Sequence, residues 1–266
     1  MPPDMNQLLG THDLVWVVPD ALRFDVAERE MRNGGTPNLA ALFPSGWEKR
    51  HSPGSFTFPA HQAFFAGFLP TPADPAADRQ RLFAARFAGS ETAGAGTVLF
   101  DEPDIVHGLE ARGYHTLCIG GVGFFNRQTE LSRVLPGYFA ESHWSEETGV
   151  THPDSARIQF ELAARRLGEI RVDQKVFLFV NLSAIHQPNR HYIPGAREDN
   201  LATHAAALRE VDSRFPILLE ALKSRGPVHL LVFSDHGTLY GEDGFTGHRF
   251  GHPDIYTVPY AAALLP

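Results

Sequence analysis

The sequence predicts an α/β fold: a three-layer αβα sandwich around a mostly parallel sheet. Two observations predict it: apolar runs of strand length, and helical segments that alternate with them. The runs suited to buried parallel strands are 14–18, 116–119, Val176–Leu182, Val228–Phe233 and Thr257–Leu265. They are nearly continuous in apolar residues, as parallel strands covered on both faces require.

Helices are expected at 37–43, 59–68, 104–112, 154–170 and Leu201–Lys223. The last has Asn200 in the N-cap position and Gly226 just past its end. Leu201, Leu208, Val211, Phe215, Leu218 and Leu222 form its apolar stripe, and Pro216 should bend it. The stretch 70–97, with Pro72, Pro75, Gly89, Gly94 and Gly96, reads as an irregular insertion or lid. There is no internal repeat, and 266 residues suit one core, so residues 1–266 are expected to form a single domain.

Composition narrows the function. With 43% apolar and 20% charged residues, the chain has the balance of a globular protein. No apolar run approaches the roughly 20 residues that span a bilayer, so no membrane partner is expected. The opening MPPDMNQLLGTHD lacks a basic cluster before an apolar stretch, which argues against a secretory signal. Cys118 is alone, so no internal disulfide can form, and a cytoplasmic location is the expectation. The net charge of −8 gives no footprint for nucleic acid and points to a substrate that is small or presented by a neutral partner. Half of the fourteen histidines lie between His186 and His252, a bias that suits metal or phosphoryl chemistry but that surface histidines would also produce.

In parallel sheets, ligands bind beyond the carboxyl ends of the strands. LVWVVPD closes on Asp20, and VHLLVFSDHG closes on Asp235 followed by His236. Two carboxylates and an imidazole are oxygen and nitrogen donors that suit a divalent cation. Either aspartate alone reads as a turn or capping residue; the pair with His236 reads as a metal site. In HSPGSFTFPAHQAFFAGFLP, Pro59 can open a helix, leaving Thr57 just before its N-terminus, where backbone N–H groups favour an alkoxide. Next to a cation, Thr57 can be a nucleophile. Without the cation, Thr57 or Ser55 would be a capping residue.

These motifs, in this order and over nearly the whole chain, resemble the alkaline phosphatase superfamily, with its sulfatases, phosphodiesterases and phosphoethanolamine transferases. VVPDALRFD is similar to the opening metal-aspartate strand, TPNLAALFPSG to the following helix, and TFPAHQAFFAGFLP to the nucleophile helix. EARGYHTLCIGG is similar to the central strand, VNLSAIHQP to the H-x-P segment, and FSDHGTLYGEDGFTGH to the S-D-H-G and G-E-x-G-x-x-G-K stretch. The resemblance implies an alkaline-phosphatase-like fold, with Asp20, Asp235 and His236 as metal ligands and Thr57 as nucleophile and ligand. His186 and His61 would contact substrate. His248 would act in catalysis or as a further ligand, with His252 able to replace it. The implied cofactor is zinc or manganese, with magnesium as the alternative; one ion is expected and a second is left open.

Departures from the family pattern choose the branch. Sulfatases make formylglycine from Cys or Ser, whereas this chain has Thr57, with Ala60 and His61 in place of the Ser and Arg of the maturation motif. Threonine matches the phosphodiesterase and transferase branches. Leu182 stands where two-metal members have an Asp four residues before the His, and GGVGFFN replaces a Lys-x-His pair, so basic substrate contacts are missing. Gly120, Gly121 and Gly123 do not fit a dinucleotide fingerprint. Asp212 is read as a structural hydrogen-bonding residue, His191 as a surface residue, and Asp25, Glu242 and Asp243 as solvated. The leading expectation is a metal-dependent hydrolase of a small phosphate-type ester through a phospho-threonine intermediate. The alternatives are a transferase or a phosphonate or sulfate ester hydrolase of the same fold, and a non-catalytic metal-binding pseudoenzyme. Oligomeric state is left open.

Overall fold

A computed structural model describes residues 4–67, 81–83, 97–99 and 104–266. After a short α1 (Met5–Leu8), strand β1 (Asp13–Pro19) leads to α2 (Phe24–Arg32), α3 (Pro37–Leu42), β2 (Glu48–His51) and α4 (Thr57–Ala66). Next come β3 (Arg81–Phe83), β4 (Thr97–Leu99), α5 (Ile105–Ala111), β5 (His115–Ile119), α6 (Glu130–Val134) and β6 (Glu141–His143). The chain continues through α7 (Ser155–Glu169), β7 (Val176–Leu182), α8 (Leu201–Lys223) and β8 (Val228–Phe233). It finishes with β9 (Leu239–Tyr240), β10 (Thr246–Gly247), α9 (Pro253–Tyr256) and β11 (Thr257–Leu265).

The main sheet has the order β2-β11-β8-β1-β7-β5-β6. Strands β8, β1, β7, β5 and β6 run parallel, as expected. Strand β11 is a correction: it runs antiparallel to β8. The segment between β8 and β11 leaves and re-enters at the same end of the sheet, and a parallel partner would need a crossover back to the other end. Its outer half is also only partly covered, with an alternating rather than continuous burial pattern. Within the 70–97 insertion, β3 and β4 pair as a parallel ribbon; the rest of that stretch lies outside the described residues.

Alternation along the strands builds two cores. Val15 and Val17 of β1 face a layer of α2, α3, α7 and α8, with Ala27, Leu39, Phe160 and Phe215 packed against the sheet. Leu14 and Val18 face the opposite layer, where Phe58 and Phe65 of α4 and Val106 of α5 meet Phe177 and Phe179. All seven residues of β7 are buried, which is why its sequence is apolar apart from Asn181. At the amino ends of the strands, buried Arg225 bonds Asp13 Oδ2 through Nε (2.6 Å) and the carbonyls of Leu167, Ile170 and Gln174 through its Nη atoms. Asp13 Oδ1 in turn accepts the Val176 N–H of β7 (2.9 Å).

Asn200 caps α8 as expected, accepting from the Ala202 and Thr203 N–H groups. Proline at 216 removes the N–H that would bond the Asp212 carbonyl one turn back. Asn38 Nδ2 takes up that carbonyl at 3.0 Å. The Asp212 carboxylate accepts Leu39 N (2.8 Å), Asn38 N (3.3 Å) and Asn38 Nδ2 (3.0 Å). It thus caps α3, whose own N-cap Thr36 makes no side-chain bond. Asp212→Ala should cost about 1.5–3 kcal/mol, the range for losing hydrogen bonds to a charged group, read as a lower urea midpoint with an unchanged slope.

Candidate metal centre and active site

Three adjacent central strands, β7, β1 and β8, carry the site at their carboxyl ends. Asp20 follows β1, and Asp235 and His236 follow β8 by two and three residues. One donor atom from each of Asp20, Asp235 and His236 lies within 4.8 Å of the others, and all three residues are fully buried.

The hydrogen bonds show what each donor has to spare. Asp20 Oδ2 accepts from Asn181 Nδ2 (3.0 Å) and the Thr57 hydroxyl (3.2 Å), whereas Oδ1 has no hydrogen-bond partner. Asp235 Oδ1 accepts Ala21 N (3.1 Å) and His236 N (3.0 Å), whereas Oδ2 has none. His236 Nδ1 is bound to the Gly237 carbonyl (2.8 Å), which directs Nε2 toward Asp20 Oδ1 (3.6 Å) and Asp235 Oδ2 (3.4 Å). Two orphaned carboxylate oxygens and a ring nitrogen facing one point would be costly to bury without a cation. The donor set fits zinc, manganese or magnesium, and the backbone carbonyl on His236 is the outer support that metal-bound imidazoles usually have.

Local backbone features hold this arrangement. Ala21, directly after Asp20, has a left-handed φ of 65°, and its N–H is thereby aimed at Asp235. A Cβ on Gly237 would meet the Asp254 carbonyl at 1.9 Å, so the His236 turn can close on α9 only with glycine there. A Cβ on Gly121 would meet the Asn181 carbonyl at 2.3 Å, which accounts for that glycine as a close-packing position.

Thr57 sits at the entrance to α4, 2% exposed, with its hydroxyl 3.4 Å from His236 Nε2. The helix begins at Thr57 itself rather than at Pro59, with Phe56 as N-cap. A proline at the third helical position is tolerated because the first-turn N–H groups have no partner within the helix. Thr57 is therefore in the first turn, where the helix dipole favours negative charge. It makes no capping bond there; its hydroxyl belongs to the carboxylate cluster.

The His248 ring lies tilted against that of His236 with centroids 4.4 Å apart, and His186 meets His248 edge to face at 5.3 Å. Thr57, His186, His248 and Arg249 line one cavity of about 270 Å³, together with Val122, Phe124, Leu131 and Val150. His61 is fully buried among Phe64, Phe65, Phe125 and Phe179 and does not line the cavity. Its Nδ1 bonds the Thr57 carbonyl (2.8 Å) and lies 3.7 Å from Asp235 Oδ2, so it stands behind the site. His252 is turned to other partners: Nδ1 caps α9 at Asp254 N and Nε2 meets Asp243 at 3.3 Å. Asp25 is exposed and Glu242 partly so, and neither joins the metal site; both also bind buried Arg23, which reaches Asp254 at 3.2 Å. That cluster ties the loop bearing His248 to the turn after Asp20.

The sequence reading passed over Asn181, Ser52 and Arg249. Asn181 was detectable, because it is the polar residue near the end of an apolar strand run, the signal that marked Asp20 and Asp235. Ser52, whose hydroxyl donates to the Asp235 carbonyl, carries no such signal.

Without a cation, burial and then the neighbouring Asp20 push the Asp235 carboxyl well above the ordinary carboxylate range. Burial also opposes ionised Asp20, but His186, His236 and the Asn181 amide outweigh it and hold that carboxyl low. Burial holds His236 below its ordinary value, so it is neutral and able to ligate. A carboxyl raised in the fold stabilises it below the unfolded pKa and withdraws that contribution as pH rises through the folded value. The contribution of Asp20 has the opposite sign and is complete once pH exceeds its unfolded pKa. Metal binding needs the Asp235 carboxylate and should displace its proton. The Tm gap between zinc-loaded and chelator-treated protein should therefore widen as pH rises from 5 to 8; a constant gap would contradict the shared-cation geometry.

The chain belongs to the sulfatase family: the family model described as Sulfatase matches residues 12–261. This places it in the alkaline phosphatase superfamily, a metal-dependent enzyme class, with the fold expected from its sequence. Among solved structures it is similar to the C-terminal periplasmic domain of Escherichia coli EptC in complex with Zn, at 16% identity and a TM-score of 0.59, covering 96% of this chain and 74% of that one. It is similar to the lipoteichoic acid synthase LtaP from Listeria monocytogenes, at 14% identity and a TM-score of 0.62, covering 97% of this chain and 66% of that one. It is also similar to an alkaline phosphatase superfamily protein from Vibrio parahaemolyticus, at 18% identity and a TM-score of 0.57, covering 96% of this chain and 60% of that one. A search of curated proteins gives no match. No helix of the described residues is long and apolar enough to cross a membrane.

Proposed function

We propose that this protein is a metal-dependent enzyme that transfers a phosphoryl-type group from a small ester through Thr57. The observation that carries this reading is the convergence of the free donor atoms of Asp20, Asp235 and His236 beside the Thr57 hydroxyl, at the entrance to α4. A divalent cation there would act as a Lewis acid, lowering the pKa of the hydroxyl and neutralising charge on the phosphoryl oxygens. Thr57 Oγ1 attacks phosphorus, the bond to the leaving oxygen breaks, and a phospho-threonine results. The first-turn N–H groups of α4 favour the charge that develops at Oγ1. Burial, then His236 and His186, pull His248 down to about 3, so at neutral pH its ring is uncharged and serves as a hydrogen-bonding group.

Threonine also separates this site from sulfate ester chemistry, because formylglycine is made from Cys or Ser. Transfer to an acceptor other than water is the second reading, favoured by the solved structures named as a lipoteichoic acid synthase and as EptC. Purified protein loaded with zinc or manganese should turn over p-nitrophenyl phosphate or its bis ester. Release in ¹⁸O-water should place label in the phosphate if water is the acceptor, and none if another acceptor takes the group. A protein that takes up neither metal would defeat the proposal and leave the pseudoenzyme.

A further inference from the structure

Arg249 is the only Lys or Arg among the described residues lining the cavity over Thr57. Its backbone has a left-handed φ of 86°, a conformation that glycine would take with less strain. The Arg249 N–H bonds the Ser55 carbonyl at 2.9 Å, joining this loop to the turn that enters α4. The guanidinium lies over the ring of Phe56, 5.5 Å from its centroid, and that ring directly precedes Thr57. Among the described residues no carboxylate pairs with it, although acids outnumber Lys and Arg in this chain, 31 to 23.

The position separates this group from the reacting centre. Thr57 is 2% exposed at the floor of the cavity, whereas Arg249 is exposed at its mouth. The imidazoles of His186 and His248 and the apolar side chains of Val122, Phe124, Leu131 and Val150 line the same cavity. A phosphoryl group seated on Thr57 would meet the cation and His248 first. The exposed guanidinium, over Phe56 on the same cavity, is free to meet the remainder of a substrate, and its planar fork suits an oxyanion.

Resting on the phosphoryl-transfer reading for the chemistry at Thr57, we propose that Arg249 is a specificity-determining residue that binds a second anionic group, on the part of the substrate that is not transferred. The substrate class is a phosphate-type ester whose other arm carries a carboxylate or a further phosphate, with a short apolar spacer against Val122 and Phe124.

The test uses equilibrium binding, so that it does not depend on turnover. Zinc-loaded protein is titrated calorimetrically with propylphosphonate, 3-phosphonopropionate and propane-1,3-bisphosphonate, which share a phosphonate and differ in the far end. The wild type should bind one or both of the doubly charged probes about tenfold or more tightly than propylphosphonate, as one charge-assisted contact allows; the tighter of the two distinguishes carboxylate from phosphate. Arg249→Met keeps the apolar stem over Phe56 and should erase that preference, and Arg249→Lys should keep part of it. Equal affinity of all three probes for the wild type would overturn the proposal, as would a preference that survives in Arg249→Met. Failure of the phosphoryl-transfer reading would look different: no turnover of any ester by a protein that still discriminates the probes through Arg249.

Discussion

Thr57→Ala should lower turnover by at least about 10³-fold, the scale of losing a covalent nucleophile whose partners remain in place. The hydroxyl meets Asp20 Oδ2 and, at a longer 3.4 Å, His236 Nε2; Asp20 Oδ2 keeps its Asn181 bond and His236 its Gly237 bond when the hydroxyl is gone. The Ala variant should therefore fold within about 1 kcal/mol of the wild type. Its zinc uptake should persist, because the free donors of Asp20, Asp235 and His236 are untouched. Thr57→Ser restores an oxygen at the same position and should recover measurable activity. Turnover of the Ala variant at the wild-type rate, with metal bound in both, would remove Thr57 as the nucleophile.

The second large effect lies at the other end of the sheet and concerns stability. Arg225→Ala should destabilise the protein by about 3–5 kcal/mol, because it leaves the Asp13 carboxylate buried and without its ion-pair partner. The same change strips hydrogen bonds from the carbonyls of Leu167, Ile170 and Gln174, where α7 ends and the approach to β7 begins. Urea unfolding followed by circular dichroism would read the loss. The double variant Arg225→Met with Asp13→Leu should recover part of it, since an apolar pair leaves no charge stranded. A shift below about 1 kcal/mol for Arg225→Ala would show that the neighbouring chain rearranges to solvate Asp13.

The sequence made much of this legible where one local signal had one cause. Leu201–Lys223 was bounded correctly because its cap, stripe and stop all lie within the segment. Asp20 and Asp235 stood out only together, because two apolar strand runs each lead to a carboxylate and His236 follows the second; either one alone would read as a turn or capping residue. Asp212 was recognised as structural, but its task, capping α3 from another helix, depends on a fold-level contact that no local pattern encodes. Strand β11 misled for a similar reason: apolar content reports burial, while direction is decided by where the preceding loop returns. Helix α2 was overlooked because FDVAEREMR has few apolar residues, and its inward face uses Glu30, held by Arg209 at 2.6 Å. His61 and His252 illustrate the limit of motif alignment, which places a residue along the chain without saying which way its ring turns.

The bond from the Ala21 N–H to Asp235 joins residues 214 positions apart. During synthesis on a ribosome, the first half of the ion cage must therefore wait through the making of nearly the whole chain before its counterpart exists. Until then, a divalent cation would meet only isolated carboxylate and imidazole groups on the growing polypeptide. Convergence of the three donors therefore requires β8 to have joined β1, and a chain cut off before residue 235 cannot assemble this cluster.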